Sequence, residues 1–239
     1  MLVYTIITVQ VVMMGEIHVN RQGELWIFDM DGTLFDSPSI AEETFMRTFA
    51  RLRQEGVRIP DVITRETIQK TYGYTHDLIW PTLFERAVTH EERELADRII
   101  LEVEVALLRE GQGRLYLGVA DTLARLHQDG AMLAVASNGQ QSYIETILDV
   151  SGIRDWFAGL YSASGYRVTS KIDLVQILLR EIPHETAVMV GDRDSDVEAG
   201  MYNELFTIGC TYGFGGADEI AKARVKVSDL REILAVEWH

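Results

Sequence analysis

Cysteine is nearly absent: Cys210 is the only one in 239 residues. An internal disulfide and a cysteine-built metal site are both ruled out, which suits a reducing cytoplasm. Basic residues are scarce beside acidic ones, 22 Lys and Arg against 37 Asp and Glu, for a formal charge of -15. Nucleic acid and anionic membrane surfaces select clustered positive charge, so neither is expected as a partner. Long hydrophobic runs are missing too. The most apolar stretch, Leu2 to Met14, contains Thr5, Thr8 and Gln10, has no basic segment ahead of it, and is too short to span a bilayer as a helix. Its β-branched residues read as an extra strand or a leader of little consequence, with Met13 and Met14 as alternative starts. No internal repeat or low-complexity segment is evident.

What is present begins with Leu25 to Ser37, LWIFDMDGTLFDS, an apolar run that ends in Asp29 and Asp31 followed by Gly32 and Thr33. Charge delivered to the end of a buried strand must be offset by a cation or by hydrogen bonds. After Asp31 the pattern turns helical. Ser39-Ile40-Ala41-Glu42 reads as a capping box opening a helix to about Glu55, followed by helical patterns in Thr64 to Tyr72, Thr75 to Ala87 and Glu91 to Glu110. From Tyr116 the rhythm changes again, with helix Val119 to Gln128, strand Ala131 to Ala136, helix Gln140 to Val150 and a strand near Leu160. Helix Lys171 to Arg180, strand Thr186 to Val190, helix Asp194 to Met201, strand Leu205 to Cys210 and a closing helix from Ser228 follow. Short β-rich runs alternating with helices indicate a Rossmann-like α/β core on a parallel sheet buried on both faces. The expected organisation is an N-terminal extension over 1–23, a core made of 24–37 and 113–239, and an inserted α-helical cap over 38–112.

In open parallel sheets ligands bind beyond the carboxyl ends of the strands. Residues stationed there are Asp29 and Asp31, Ser137-Asn138-Gly139, and Gly191-Asp192 with Asp194 and Asp196 beyond, while Lys171 opens the helix after the strand near Leu160. Asp29, Asp31, Asp192 and Asp196 set four negative charges against one lysine. That imbalance calls for a divalent cation, and an all-oxygen donor set without His or Cys suits Mg²⁺ rather than Zn²⁺. Such a cation with one Lys and glycine-turn amides makes a site for a phosphoryl group. Two aspartates two residues apart can divide labour there, one as nucleophile and one as general acid and base.

These residues resemble the haloacid dehalogenase (HAD) superfamily, and within it the phosphoglycolate phosphatase-like enzymes with a helical cap inserted after the first motif. Asp29-Met30-Asp31-Gly32-Thr33 matches the DxDGT signature, Ser137 the second motif, Lys171 the third, and Gly191-Asp192 with Asp196 the GDxxxD fourth. The resemblance spans about residues 24 to 236, and its specificity lies in the four motifs occurring jointly and in order. It implies that Asp29 is the nucleophile of an aspartyl-phosphate and that Asp31 protonates the leaving oxygen, then activates water, while its backbone carbonyl helps hold Mg²⁺. It further implies that Asp192 ligates the metal, that Thr33 buttresses the Asp29 region on the phosphate side, and that Ser137 and Asn138 bind phosphoryl oxygens. Lys171 would neutralise phosphate and nucleophile, with Asp196 orienting it or a metal-bound water. Dehalogenases of this type lack an acid where Asp31 stands, so dehalogenation is excluded.

The bland readings fall on other residues. Asp194 reads as a first-turn helix acid, Asp36 as structural, Arg193 as a solvated loop residue, His76 as a surface residue as readily as a ligand, and Trp80 as core. Tyr72-Gly73-Tyr74 lies where related caps carry a substrate-specificity loop, although a helix-helix turn explains it equally. The expected function is a cytoplasmic Mg²⁺-dependent phosphatase acting on a small phosphorylated metabolite, as a monomer or homodimer. Alternatives on the same core are a phosphomutase resembling β-phosphoglucomutase and a pyrophosphatase. A non-enzymatic metabolite sensor would have no need of the nucleophile.

Overall fold

The first apolar run forms strand β1 (Glu24–Phe28), buried at every position, in a computed structural model that describes residues 20–72, 74 and 76–238, without the side chains of His76 and Asp77. The strand expected in Leu2 to Met14 and the hinge residue Gly73 lie outside the described residues. A strand with no polar face needs cover on both sides, and alternation supplies it. Trp26 and Phe28 join one apolar cluster with Leu133, Val135 and Val190, while Leu25 and Ile27 join another with Leu174, Val175 and Leu178.

After β1 come α1 (Pro38–Gln54), α2 (Arg65–Gln69), α3 (His76–Phe84), α4 (His90–Arg109) and α5 (Val119–Gln128). The chain continues through β2 (Met132–Ser137), α6 (Gln141–Val150), β3 (Phe157–Ser162), α7 (Ala163–Tyr166), α8 (Lys171–Glu181) and β4 (Thr186–Gly191). It closes with α9 (Asp194–Tyr202), β5 (Phe206–Cys210), β6 (Val225–Val227) and a 3₁₀ turn at Leu230–Ala235. The six strands lie in the order β3-β2-β1-β4-β5-β6, with every pairing parallel. Winding outward in both directions from the β1/β4 pair opens a crevice at the carboxyl ends. Phe28 is in register with both Val135 and Val190. The residues that follow these three strands therefore leave the sheet side by side, about 4.8 Å apart per strand.

Helices α1 to α4 build a separate apolar cluster that includes Phe45, Phe49, Trp80, Leu83, Ile99 and Leu107. The chain leaves toward this layer and returns from it through adjacent segments: Asp36 N donates to Arg114 O at 3.0 Å, and Arg114 pairs with the Asp36 carboxylate at 2.6 Å. Trp80 is fully buried and donates to Asp97. Among the described residues no helix is long and apolar enough to cross a membrane.

Several local expectations change. Helix α1 begins at Pro38 after Ser37, with no side-chain cap, and Ser39 donates its hydroxyl to Asp36 O instead of closing a capping box. Proline's fixed φ and missing N–H suit the first helical position, which sets the start there. The reciprocal box occurs at Thr89 and Glu92, opening α4. Helix α2 stops at Gln69, short of Tyr72. The closing segment is 3₁₀ rather than α, capped by Asp229 accepting from Arg231 N; six residues leave few longer-range helical bonds to form. Arg21 is buried, and its guanidinium pairs with the buried Glu24 at 3.0 Å.

The turn after β1 is fixed by Leu34 N and Phe35 N, both donating to Met30 O at 2.9 Å. Gly32 takes φ +86° there, and a Cβ on it would fall 2.4 Å from an Asp192 carboxylate oxygen. Gly32→Ala is therefore expected to lose about 1–3 kcal/mol of unfolding free energy, from a disfavoured φ and the displaced carboxylate. Urea denaturation checks this, and an unchanged midpoint would contradict the close approach.

Candidate active site

Beyond the ends of β1 and β4 and at the start of α8, buried charge converges. Lys171, the first residue of α8, donates from Nζ to Asp29 Oδ1 at 2.7 Å and to Asp196 Oδ1 at 2.6 Å. All three side chains are buried. Asp192 Oδ2 accepts from the backbone N–H groups of Phe214 at 2.9 Å and Gly215 at 3.0 Å, and Thr33 donates to Oδ1 at 3.4 Å. Carboxylate oxygens of Asp29, Asp192 and Asp196 all lie within 4.8 Å of one another. Asp196 has both oxygens engaged, since Arg193 N donates to Oδ2 at 3.0 Å. The glycine before Asp192 permits this approach, as a Cβ at Gly191 would lie 2.2 Å from the Asp196 carboxyl.

The electrostatics follow from crowding. Burial first, then Asp196 and Asp192, hold the Asp29 carboxyl well above the usual carboxylate range against the pull of Lys171. Burial and Asp196 push Asp192 up to about 7 despite its two amide donors. Burial disfavours the Lys171 ammonium, but Asp196 and Asp29 outweigh it and raise its pKa. One lysine is too little charge for this cluster. The oxygen-only donors at this spacing fit a hard divalent cation, with Asp29 retaining the most acceptor capacity.

Asp31 is placed differently. Its Oδ1 accepts from Tyr143 OH at 2.8 Å, and its carboxylate is outside the group of three. Burial and Asp31 keep the Tyr143 phenol protonated, with its pKa well above the ordinary value. Asp29, Asp31, Ser137, Asn138 and Lys171 line one crevice with Tyr72 and Tyr74 of the helical layer. Ser137 Oγ accepts from Gly139 N at 3.0 Å. Thr33, expected at the phosphate, is fully buried with its hydroxyl on Asp192, so it braces that carboxylate from beneath.

A haloacid dehalogenase-like hydrolase family model matches residues 26–209. The chain belongs to this family. The phosphoglycolate phosphatase of Photobacterium profundum is 26% identical over 217 residues, covering 84% of this chain and 88% of that protein. The tyrosine-protein kinase PtkA of Mycobacterium tuberculosis is 30% identical over 227 residues, covering 89% and 73%. Among solved structures, CbbY from Rhodobacter sphaeroides in complex with phosphate superposes with a TM-score of 0.73 at 25% identity, covering 87% of this chain and 95% of that one.

Around these family motifs the structure adds residues that the sequence reading passed over. Arg193 is no solvated loop residue: its guanidinium donates to Tyr72 O, pairs with Glu219 and lies 5.9 Å from the Phe214 ring centroid. Tyr72 packs on the same ring at 5.3 Å. The loop that holds Asp192 is thereby fastened to the helical layer. The signal for Tyr143 is its place in the first turn of α6, directly after the Ser137-Asn138-Gly139 strand end. Asp36 is structural, paired with Arg114, and Asp194 is an exposed first-turn acid, both as expected.

A pH dependence follows from Asp192. In the unfolded chain it titrates near 3.9, so between about pH 4 and about pH 7 the folded state keeps a proton that the unfolded state has released, and stability falls as pH rises. In EDTA, the thermal midpoint of the wild type is expected to drop more steeply across that window than that of Asp192→Asn. Parallel profiles would show that Asp192 carries no such burden.

Proposed function

We propose that this hydrolase is a Mg²⁺-dependent phosphatase that cleaves a small phosphomonoester through an aspartyl-phosphate on Asp29, with residues 38–112 as a cap over a core of 24–37 and 113–239. The observation that carries the reading is the buried Lys171 shared by Asp29 and Asp196 beside Asp192. With Oδ1 of Asp29 held by Lys171, its other oxygen is left to attack phosphorus. As the O–P bond forms, the bond to the leaving oxygen breaks, and Asp31 delivers a proton to that oxygen. Asp31, then a carboxylate steadied by Tyr143, takes a proton from the water that opens the phosphoenzyme. Ser137, Asn138 and Lys171 hold the phosphoryl oxygens as charge redistributes. When bound by Asp29, Asp192 and the Asp31 backbone carbonyl, Mg²⁺ would offset the negative charge shared by phosphate and carboxylates.

The phosphoglycolate phosphatase relative supports hydrolysis. The name of the mycobacterial relative points instead to transfer onto tyrosine. Lining of the crevice by residues of α1 and α4 and the Arg193 bond to Tyr72 O support a small leaving group over a protein side chain. A phosphomutase would share every core step and differ only in which hydroxyl meets the phosphoenzyme. The free, buried Cys210 thiol is in keeping with a reducing cytoplasm.

Two variants test the division of labour. Asp29→Asn is expected to lose Mg²⁺-dependent hydrolysis of p-nitrophenyl phosphate by ~10³-fold or more, and unchanged turnover would sink the mechanism. With this substrate the leaving phenolate needs little protonation. Asp31→Asn should therefore release a burst of nitrophenol followed by slow turnover, and wild-type steady-state rates would contradict its role in opening the phosphoenzyme.

A further inference from the structure

On the cap side of the crevice Thr44 and Glu104 are without hydrogen-bond partners among the described residues. Thr44 of α1 is 2% exposed and lines the crevice, and its hydroxyl makes no hydrogen bond. A helical threonine ordinarily donates back to the preceding turn, and this one does not. Glu104 of α4 lines the same crevice, and among the described residues neither a hydrogen bond nor a cation engages it. It is half-buried in the crevice wall, where desolvation and the like charge of Asp31 hold its carboxyl well above the usual range. In sequence it interrupts the apolar stripe of α4, between Ile100 and Leu107-Leu108. A helix built only to pack would place Leu or Ala there.

The charge around these groups limits what they can receive. Among the described residues, the two cations lining the crevice are both taken, Lys171 by Asp29 and Asp196, Arg193 by Tyr72 O and Glu219. Among the described residues, a carboxylate or second phosphate on the leaving group would find no free cationic side chain in the crevice to meet it. A hydroxyl can donate to Glu104, and another can accept from or donate to Thr44. Because Asp31 is the residue that protonates the leaving oxygen, groups facing Asp31 are where the leaving group sits.

We propose that Glu104 and Thr44 form the leaving-group recognition site, and that it selects an uncharged, hydroxyl-bearing leaving group, that of a polyol or sugar phosphate, over one bearing a carboxylate or a second phosphate. This rests on the phosphatase reading and narrows it.

The test measures kcat/KM of the full chain with Mg²⁺ for a panel of polyol and hexose phosphates, phosphoglycolate, pyrophosphate and p-nitrophenyl phosphate. The best polyol or sugar phosphate is expected to exceed phosphoglycolate and pyrophosphate by about tenfold or more. Glu104→Leu should lower the ratio of its kcat/KM to that of p-nitrophenyl phosphate by about tenfold, mainly through KM, and Glu104→Gln, which keeps an acceptor oxygen, should restore most of it. Thr44→Val should raise KM for the same substrate without lowering the thermal midpoint, since the lost hydroxyl bonds nothing in the protein. Thr48→Val serves as the control: Thr48 is one turn along α1, also buried and unpartnered but away from the crevice lining, and the ratio should not move. A wild-type preference for phosphoglycolate or pyrophosphate would overturn the proposal. So would Glu104→Leu and Thr44→Val that lower all substrates equally. A wild type inert toward p-nitrophenyl phosphate as well would overturn the phosphatase reading itself.

Discussion

A single ammonium stands between two buried carboxylates: Lys171 Nζ is 2.7 Å from Asp29 and 2.6 Å from Asp196, with Asp192 alongside. Removing one member of such a group leaves an uncompensated buried charge, which costs far more than the group contributes when complete. The surrounding architecture serves to keep it complete. Parallel register brings the ends of β1 and β4 together, Gly32 and Gly191 let carboxyl groups lie against backbone, and two loop amides hold Asp192. Even so, the charge does not balance. Raised pKa values at Asp29 and Asp192 record the deficit, which a divalent cation would offset.

The same arrangement makes two neighbouring aspartates unlike. Asp29 is buried, with one carboxylate oxygen bound to the Lys171 ammonium. Asp31 is partly exposed to the crevice and bound to a neutral phenol that stays protonated. A carboxyl in the second setting can hold a proton and release it without losing its place. The two settings arise from partners contributed by α8 and α6, far from the motif in sequence.

Much of the core could be read from the chain because its signals are local. β1, β2 and β4 are apolar runs that end in polar residues, and a parallel sheet requires the ends of such runs to meet. The four helices of the insertion showed in their spacing, although the start of α1 was misplaced because Pro38 outweighed the Ser39 pattern. Elements of three and four residues, β6 and α7, carry no readable period. For the same reason Asp29, Asp31, Ser137, Asn138 and Lys171 could be expected together, and they line one crevice, while the Thr33 hydroxyl lies on Asp192. Arg193, Tyr143, Thr44 and Glu104 were not found, since their significance depends on what folds against them. Glu104 left a trace, a carboxylate inside an apolar stripe, that only the position of the crevice makes meaningful.

The central claim is that Asp29, held by Lys171, becomes covalently phosphorylated. Rapid acid quench of a single turnover with radiolabelled phosphomonoester and Mg²⁺, followed by peptide mapping, tests it most directly. The account predicts an acid-stable, hydroxylamine-labile phosphate on the peptide containing Asp29, formed before inorganic phosphate appears. Release of phosphate with no labelled protein at any time during the turnover, or label on a different residue, would contradict it.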